Sequence, residues 1–358
     1  MNVIVGYLGV DVGSVSTNIV IIDEAGEVIE KLYLRTNGKP IEAVTEGLNE
    51  IKKMLNSTPL KIKGVGTTGS ARELSAIVVG ADIVKNEITA HAIAAKHVIP
   101  DVRTVLEIGG QDSKIIFLDP DGTVKDFEMN TVCAAGTGAF LDHQSGRLGI
   151  PIEQFGEKAL CSSEECTIAG RCSVFAESDM IHKQQVGKKT DDIIYGLCQA
   201  LVRNYLTNLA KGKDIISPII FQGGVAANQG MKKAFEEALG EKIIIPKYFD
   251  VMGAIGAALL AKEEMENNPR ETLFRGFDIT QIKYETKSFN CGKNASDSCG
   301  NNCEITRIIV NSKTVARWGG RCDKWEMDPS IRLEKIRPHG ELQQKTIGQK
   351  NREKIYTI

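Results

Sequence analysis

The sequence predicts an α/β protein built of two similar halves, and three observations predict it. Apolar strands over 3–10 and 104–108 each run into a loop of small and polar residues, 11-DVGSVST-17 and 109-GGQDSK-114. Each loop leads into a second strand, a tight turn and a third strand, so a β-loop-β-turn-β unit recurs at domain scale and reads as an internal duplication. A third small-residue loop, 222-QGGVAANQG-230, follows a short buried strand and opens a helix. With 358 residues, 42% of them hydrophobic, the chain is long enough for two domains and an extension.

In the first half, Val3 to Val10, Asn18 to Ile22 and Val28 to Arg35 read as strands, with a hairpin turn at Glu24-Ala25-Gly26. Gly13 lets the backbone bend towards a ligand, while Ser14, Ser16 and Thr17 offer hydroxyl and amide donors to phosphate oxygens. Asp11, at the strand end, suits Mg²⁺ held through water. A helix from Pro40 to about Asn56 has proline at a permitted first-turn position. Lys61 to Val65 is a strand ending in 64-GVGTTGSARE-73, another loop able to face a ligand. Next come a helix over Arg72 to Gly80, a short strand near Asp82 to Val84, and a helix over Glu87 to Ile99 whose His91 and His97 read as surface or packing residues.

The second half repeats the pattern with strands Thr104 to Ile108, Ile115 to Leu118 and Thr123 to Met129, a turn at Asp119 to Gly122, and helix alternating with strand thereafter. Pro218 to Phe221 is the strand before the third loop, where Gly223 and Gly224 would let an adenosine lie flat on backbone and Asn228 caps a helix through Leu239. A strand at Ile243 to Ile245 precedes a final helix opened by Asp250 to Leu259, whose small residues suit either close packing of two hinged domains or a plain core position. Phosphate-sized loops facing each other from two halves would clamp a nucleoside triphosphate.

The nine cysteines are odd in number and clustered, in a chain whose start shows neither a basic segment nor a long apolar one. Thiols kept reduced in a cytoplasmic compartment and used as ligands are expected, rather than a disulfide framework. No apolar run approaches the roughly 20 residues of a membrane span, and a net charge of −2 suggests neither nucleic acid nor an anionic membrane as partner. Cys133 stands before 134-AAGTG-138, at or just ahead of a helix N-terminus, where free amides and the helix dipole favour a thiolate or an anionic cluster. On that segment alone, a glycine-rich turn with a buried free thiol fits equally well.

The loop at Asp11, GGQDSK at 109–114, QGGVAAN and the closing Gly/Ala helix together resemble the acetate and sugar kinase, Hsp70 and actin superfamily, with its ribonuclease H-like domains. Within it, CAAGTGAFLD from Cys133 and CSVFAESD from Cys172 resemble the BadF/BadG/BcrA/BcrD ATPases, the activators of 2-hydroxyacyl-CoA dehydratases and components of benzoyl-CoA reductases. The resemblance covers roughly 3–268 and implies duplicated actin-like domains with an interdomain nucleotide cleft: 1–100 with 250–268, and 101–249 carrying the cluster helix. It implies a homodimer bridged by one [4Fe–4S] cluster on Cys133 and Cys172 of each subunit. It also implies ferredoxin or flavodoxin as electron source and a partner iron–sulfur enzyme, dehydratase-like or a double-cubane cluster protein, as acceptor.

By position, Asp11 would hold Mg²⁺, Ser14 and Thr17 would contact phosphates, and Gln111 or Asp112 would place the attacking water. Gly109, Gly110 and Lys114 would shape or charge the pocket. Glu107 departs from the family's usual Asp, and Cys166 stands as an alternative ligand to Cys172, with Cys161 and Cys166 otherwise accessory thiols on an exposed loop. His182, Lys183, Lys188 and Lys189 read as solvated surface.

Beyond 268 lies an extension over 269–358 with Cys291, Cys299, Cys303 and Cys322, a hairpin of Glu304 to Val310 and Lys313 to Arg317, and a polar tail from 326. Four thiols in a unit with little core suggest a second metal, Zn²⁺ or another [4Fe–4S]. Two other readings compete. A small-molecule kinase on the same fold would have no use for Cys133 and Cys172, and a nucleotide-binding regulator would carry structural zinc without catalysis.

Overall fold

The computed structural model describes residues 3–56, 59–130, 133–278, 284–291, 300–310, 313–322 and 325. In the first half β1 (Ile4–Val12), β2 (Ser16–Ile22) and β3 (Val28–Arg35) form an antiparallel meander. After α1 (Pro40–Met54), β4 (Leu60–Thr68) returns parallel to β1. Helix α2 (Arg72–Val79) stops at Gly80, whose φ of +73° is the left-handed cap that favours glycine. Strand β5 (Ile83–Val84) then completes a sheet in the order β3-β2-β1-β4-β5. The following helix α3 (Glu87–Val98) is capped by Asn86, which accepts from the Thr89 amide.

The second half repeats that topology. Strands β6 (Thr104–Ile108), β7 (Ser113–Leu118) and β8 (Val124–Asn130) meander, and β9 (Ile219–Gln222) and β10 (Ile243–Ile244) add in parallel, giving β10-β9-β6-β7-β8. One expectation fails between β8 and β9. Instead of helix alternating with strand, a 3-10 turn (Ala134–Gly136) leads into α4 (Gly138–Leu148), α5 (Ile152–Leu160), α6 (Ser173–Gln185) and α7 (Thr190–Leu209). The 20-residue α7 lies over β7 and β8 and takes the three shorter helices on its other flanks, so this segment buries its apolar residues on a helix instead of a sheet edge.

Two helices lie between the sheets. After α8 (Gln229–Leu239), α9 (Met252–Asn267) packs on β1 and β4, α3 packs on β6 and β7, and the two helices pack on each other. Missing Cβ atoms make the approach possible. A Cβ on Gly9 would lie 1.9 Å from the Ala254 carbonyl oxygen, one on Gly66 2.1 Å from that of Ala257, and one on Gly256 1.9 Å from that of Ala90. The Gly/Ala run of α9 is therefore a tightly packed helix joining the halves, in an apolar cluster that takes Val20 and Ile22 from one sheet and Val105, Ile116 and Ile220 from the other. The outer sheet faces are closed by α1 and α2 on one side and by α5, α7 and α8 on the other.

Beyond α9 the chain folds back over the first half. The buried Asp82 carboxylate accepts from the Val65 amide (2.9 Å), the Leu273 amide (3.0 Å) and the Thr272 hydroxyl (2.6 Å). Phe274 and Phe277 meet edge to face against the α1 and α2 layer. A small antiparallel sheet of β11 (Tyr284–Asn290), β12 (Glu304–Val310) and β13 (Lys313–Trp318) follows. The expected hairpin is thus present, with its turn at 311–312 outside the described residues, as are Cys299 and the tail from 326. No helix among the described residues is long and apolar enough to cross a membrane.

Placing a methyl group at Gly66 forces α9 away from β4. Gly66→Ala is expected to destabilise the protein by about 1–3 kcal/mol in urea unfolding. Gly146→Ala, on α4 with nothing within 4 Å of its Cβ position, should be neutral or stabilising.

Candidate functional site

The two duplicated loops face each other across a cleft of about 350 Å³ between the halves. Asp11, Gly13 and Ser14 line it from one side, and Gly109, Gly110, Gln111, Asp112 and Lys114 from the other, with Gly223, Gly224 and Asn228 at the third loop. Each duplicated loop is a tight turn, closed by Gly13 N–H to the Ser16 carbonyl (2.9 Å) and by Gly109 N–H to the Asp112 carbonyl (3.0 Å). The loops touch where a Cβ on Gly110 would lie 2.8 Å from Val15 Cγ2. Gly223 has φ of +90°, and a Cβ there would sit 2.4 Å from the Ile108 carbonyl oxygen, so only glycine fits beside β6. Asn228 caps α8 as expected, accepting from the Met231 amide.

Thr17 is corrected. Strand alternation turns Ser16 and Asn18 towards the cleft and Thr17 away from it. Its hydroxyl lies fully buried, 3.0 Å from that of Thr36, which in turn donates to the Gly13 carbonyl (2.9 Å). Thr17 braces the loop from behind.

The cleft floor is acidic around one cation. Lys114 Nζ lies 3.0 Å from Glu107, 3.0 Å from Asp112 and 3.4 Å from Glu87. Burial works against charge on Lys114, but the three carboxylates more than offset it and hold its pKa above the usual lysine range. Burial, reinforced by Glu87, pushes Asp11 up to about 7, and burial pushes Glu107 up to about 8 against the pull of Lys114. Glu107, the departure from the family pattern, therefore serves as the closest buried partner of Lys114.

Sequence reasoning missed several cleft residues, two of them on α3. Glu87 and His91 stand one turn apart on α3, and both line the cleft. Their i,i+4 spacing shows that they share a face, but only the tertiary position of α3 between the sheets shows which one. His91 is buried, with Nδ1 2.8 Å from the Gln222 side-chain amide nitrogen, and burial and Lys114 lower its pKa to about 3, so the ring is neutral.

Cys133 and Cys172 are both free, half-buried and at the start of helical segments, Cys133 ahead of the 3-10 turn and Cys172 as the N-cap of α6. Asn130 holds the Cys133 loop, accepting from the Cys133 amide (3.0 Å) and donating to its carbonyl (2.9 Å). Asn204 on α7 lies against both cysteine loops. It donates to the Gly170 carbonyl at 2.9 Å, and a Cβ on Gly136 would lie 2.9 Å from its Oδ1. The first turn of α4 is bonded to the second of the duplicated loops, Gly138 N–H to the Gly109 carbonyl (2.9 Å) and Ala139 N–H to the Gly110 carbonyl (2.8 Å).

Cys161 is exposed, but Cys166 is corrected: it is 3% exposed, packed in the core beside Gly196 and Ile168, and burial raises its thiol pKa. In the extension the Cys291 amide donates to the Cys303 carbonyl (2.9 Å), and a Cβ on Gly320 would lie 3.1 Å from the Cys322 carbonyl oxygen and 3.5 Å from Ile305 Cδ1 on β12. Among the described residues no group of three or more His, Cys, Asp or Glu side chains is disposed to hold a metal ion.

Thr17→Val should lower stability by about 1 kcal/mol and leave nucleotide affinity near wild type, whereas Ser14→Ala should weaken nucleotide binding in calorimetry. For Asp11, a folded pKa of about 7 against an ordinary 3.8 means that the native state binds the extra proton between those values. Its contribution to stability therefore falls as pH rises through that window. In metal-free buffer Asp11→Asn should flatten this fall in melting temperature between pH 4 and 7.

The model of the BadF/BadG/BcrA/BcrD ATPase family matches residues 8–261. The 2-hydroxyisocaproyl-CoA dehydratase activator of Clostridioides difficile is 31% identical over 267 residues, 74% of this chain and 97% of that protein. The (R)-2-hydroxyglutaryl-CoA dehydratase activating ATPase of Acidaminococcus fermentans is 34% identical over 255 residues, 71% of this chain and 96% of that protein. The solved structure of the former activator from Clostridium difficile with bound ADPNP superposes with a TM-score of 0.67 at 30% identity, over 73% of this chain and 96% of that one. On sequence match and duplicated actin-like architecture together, the chain belongs to the BadF/BadG/BcrA/BcrD ATPase family.

Proposed function

We propose that the protein is an ATP-dependent low-potential electron donor: it binds and hydrolyses ATP, and passes electrons from a [4Fe–4S] cluster shared by two copies to a partner iron–sulfur enzyme. The observation that carries the reading is the pair of hydrogen bonds from the first-turn amides of α4 to the Gly109 and Gly110 carbonyls. They join the loop facing a nucleotide's phosphates to the segment bearing Cys133. Whatever moves one moves the other.

In this reading the Gly13–Ser14 and Gly109–Gly110 loops hold the phosphates, Asp11 takes Mg²⁺ through water, and Gln111 or Asp112 orients the attacking water. Gly223, Gly224 and Asn228 hold the adenosine. Lys114 sets one positive charge among three carboxylates and so offsets part of the negative charge of the floor. The thiols fit a cluster ligand set: two per chain, free, half-buried, and on loops that both adjoin Asn204. Two thiols are half of what a [4Fe–4S] needs, so a second copy supplies the rest. Val174 and Phe175, 66% and 65% exposed just after Cys172, give that face apolar surface to bury in a homodimer. When bound, the cluster supplies one-electron chemistry at a potential set by its surroundings.

The names of the relatives point to a 2-hydroxyacyl-CoA dehydratase or a similar reductase as partner, and in this reading ferredoxin or flavodoxin supplies the electrons. These relatives match only 74% and 71% of this chain, so the extension past α9 adds a part with which the partner can differ.

Anaerobically purified protein should carry about two Fe and about two acid-labile sulfides per subunit, both lost in Cys133→Ser and in Cys172→Ser and retained in Cys161→Ser. Zinc, or about four further Fe, surviving Cys133→Ser would belong to Cys291, Cys299, Cys303 and Cys322. Protein without sulfide that still turns over ATP would overturn the electron-transfer reading.

A further inference from the structure

Three observations converge on His91. It is a buried imidazole that lines the cleft, although nothing in its sequence context marks it as a ligand. Its Nδ1 is engaged by the side-chain amide nitrogen of Gln222 at 2.8 Å, and Gln222 itself is fully buried at the end of β9. Among the described residues none hydrogen-bonds the other ring nitrogen, Nε2, while the ring edge approaches Asp11 across Gly253: a Cβ on Gly253 would be 3.4 Å from His91 Cε1 and 2.1 Å from Asp11 Oδ2.

The tautomer follows from the partner. An amide nitrogen only donates, so Nδ1 must accept, and a neutral ring then carries its proton on Nε2. The N–H so fixed belongs to the wall of the cleft next to Asp11, among the carboxylates of Asp11 and Glu87. A neutral donor there accepts company that a second lysine would also take, but it adds no charge to compete with a divalent cation.

We propose that His91 is a binding residue of the nucleotide site, donating from Nε2 to an oxygen of the metal–phosphate group that enters beside Asp11, with Gln222 as the positioning residue that holds it in that tautomer. The acceptor is a phosphate oxygen of the nucleotide. The inference rests on reading the cleft as a nucleotide site.

The test uses the full chain and begins with the tautomer. Long-range ¹H–¹⁵N correlation spectra of the five histidines, with His91 assigned by loss of its signals in His91→Gln, should show His91 protonated at Nε2. A pattern of protonation at Nδ1 overturns the assignment. Binding then tests the acceptor. His91→Ala should lose roughly 10- to 100-fold in affinity for the triphosphate analogue ADPNP relative to ADP.

His91→Gln, whose amide reaches the Nε2 position, should recover most of the loss, and His91→Asn, whose amide reaches only the Nδ1 position, should not. Equal behaviour of the Gln and Asn variants, or no change in His91→Ala, overturns the proposal. A wild-type chain that binds no nucleotide ends the nucleotide reading itself, whereas nucleotide binding without any of these differences ends only the role of His91.

Discussion

The first amides of a helix have no partner within the helix, and a buried helix start must find one elsewhere. In α4 two of them take the carbonyls of Gly109 and Gly110, which are themselves part of the loop facing the cleft. That choice constrains the rest. The loop cannot change shape around a ligand without breaking those bonds or carrying α4 with it, and the Cys133 turn is continuous with α4. Gly138 is required at this junction, because a Cβ there would meet the Gly109 carbonyl oxygen at 2.9 Å and Val225 Cγ2 at 3.0 Å. The junction thus touches the third loop as well.

The two halves are joined by packing that leaves little slack on the helix side and by charge on the cleft side. α9 and α3 meet backbone to backbone at Gly256, where a Cβ would lie 1.9 Å from the Ala90 carbonyl oxygen. At the cleft, the carboxylates of Asp11, Glu87, Glu107 and Asp112 surround one lysine. Burial there works against charge on the carboxylates and holds Asp11 partly protonated at neutral pH.

Much of this was legible in the sequence, for identifiable reasons. The strand and loop alternation reports its own burial pattern, so the duplication, the three small-residue loops and the Asn228 cap were readable from residue type alone. Thr17 was misassigned because a hydroxyl at a loop edge and a hydroxyl one residue into a strand look alike until the strand's phase is known. Cys166 was misassigned because its neighbours Ser162, Ser163, Glu164 and Glu165 read as an exposed loop, whereas Asp192 on α7 gathers the Ser163 and Glu164 amides and the Ser162 hydroxyl on one carboxylate oxygen and pulls the loop inward. The strap over 269–278 depends on contacts such as Leu273 with Asp82, 191 positions apart, and the cleft face of α3 on ones such as His91 with Gln222, 131 apart, and no local pattern encodes those.

The central claim is that the nucleotide loop and the Cys133 helix form one mechanical unit. Hydrogen–deuterium exchange at the Gly138 and Ala139 amides, compared between ADP-bound and ADPNP-bound protein, tests it most directly. A change in protection at those two amides that extends into the Cys133–Gly136 turn, while α1 exchanges alike in both states, is the predicted result. Identical exchange across 133–139 in the two states, with both nucleotides bound at saturation, would contradict it.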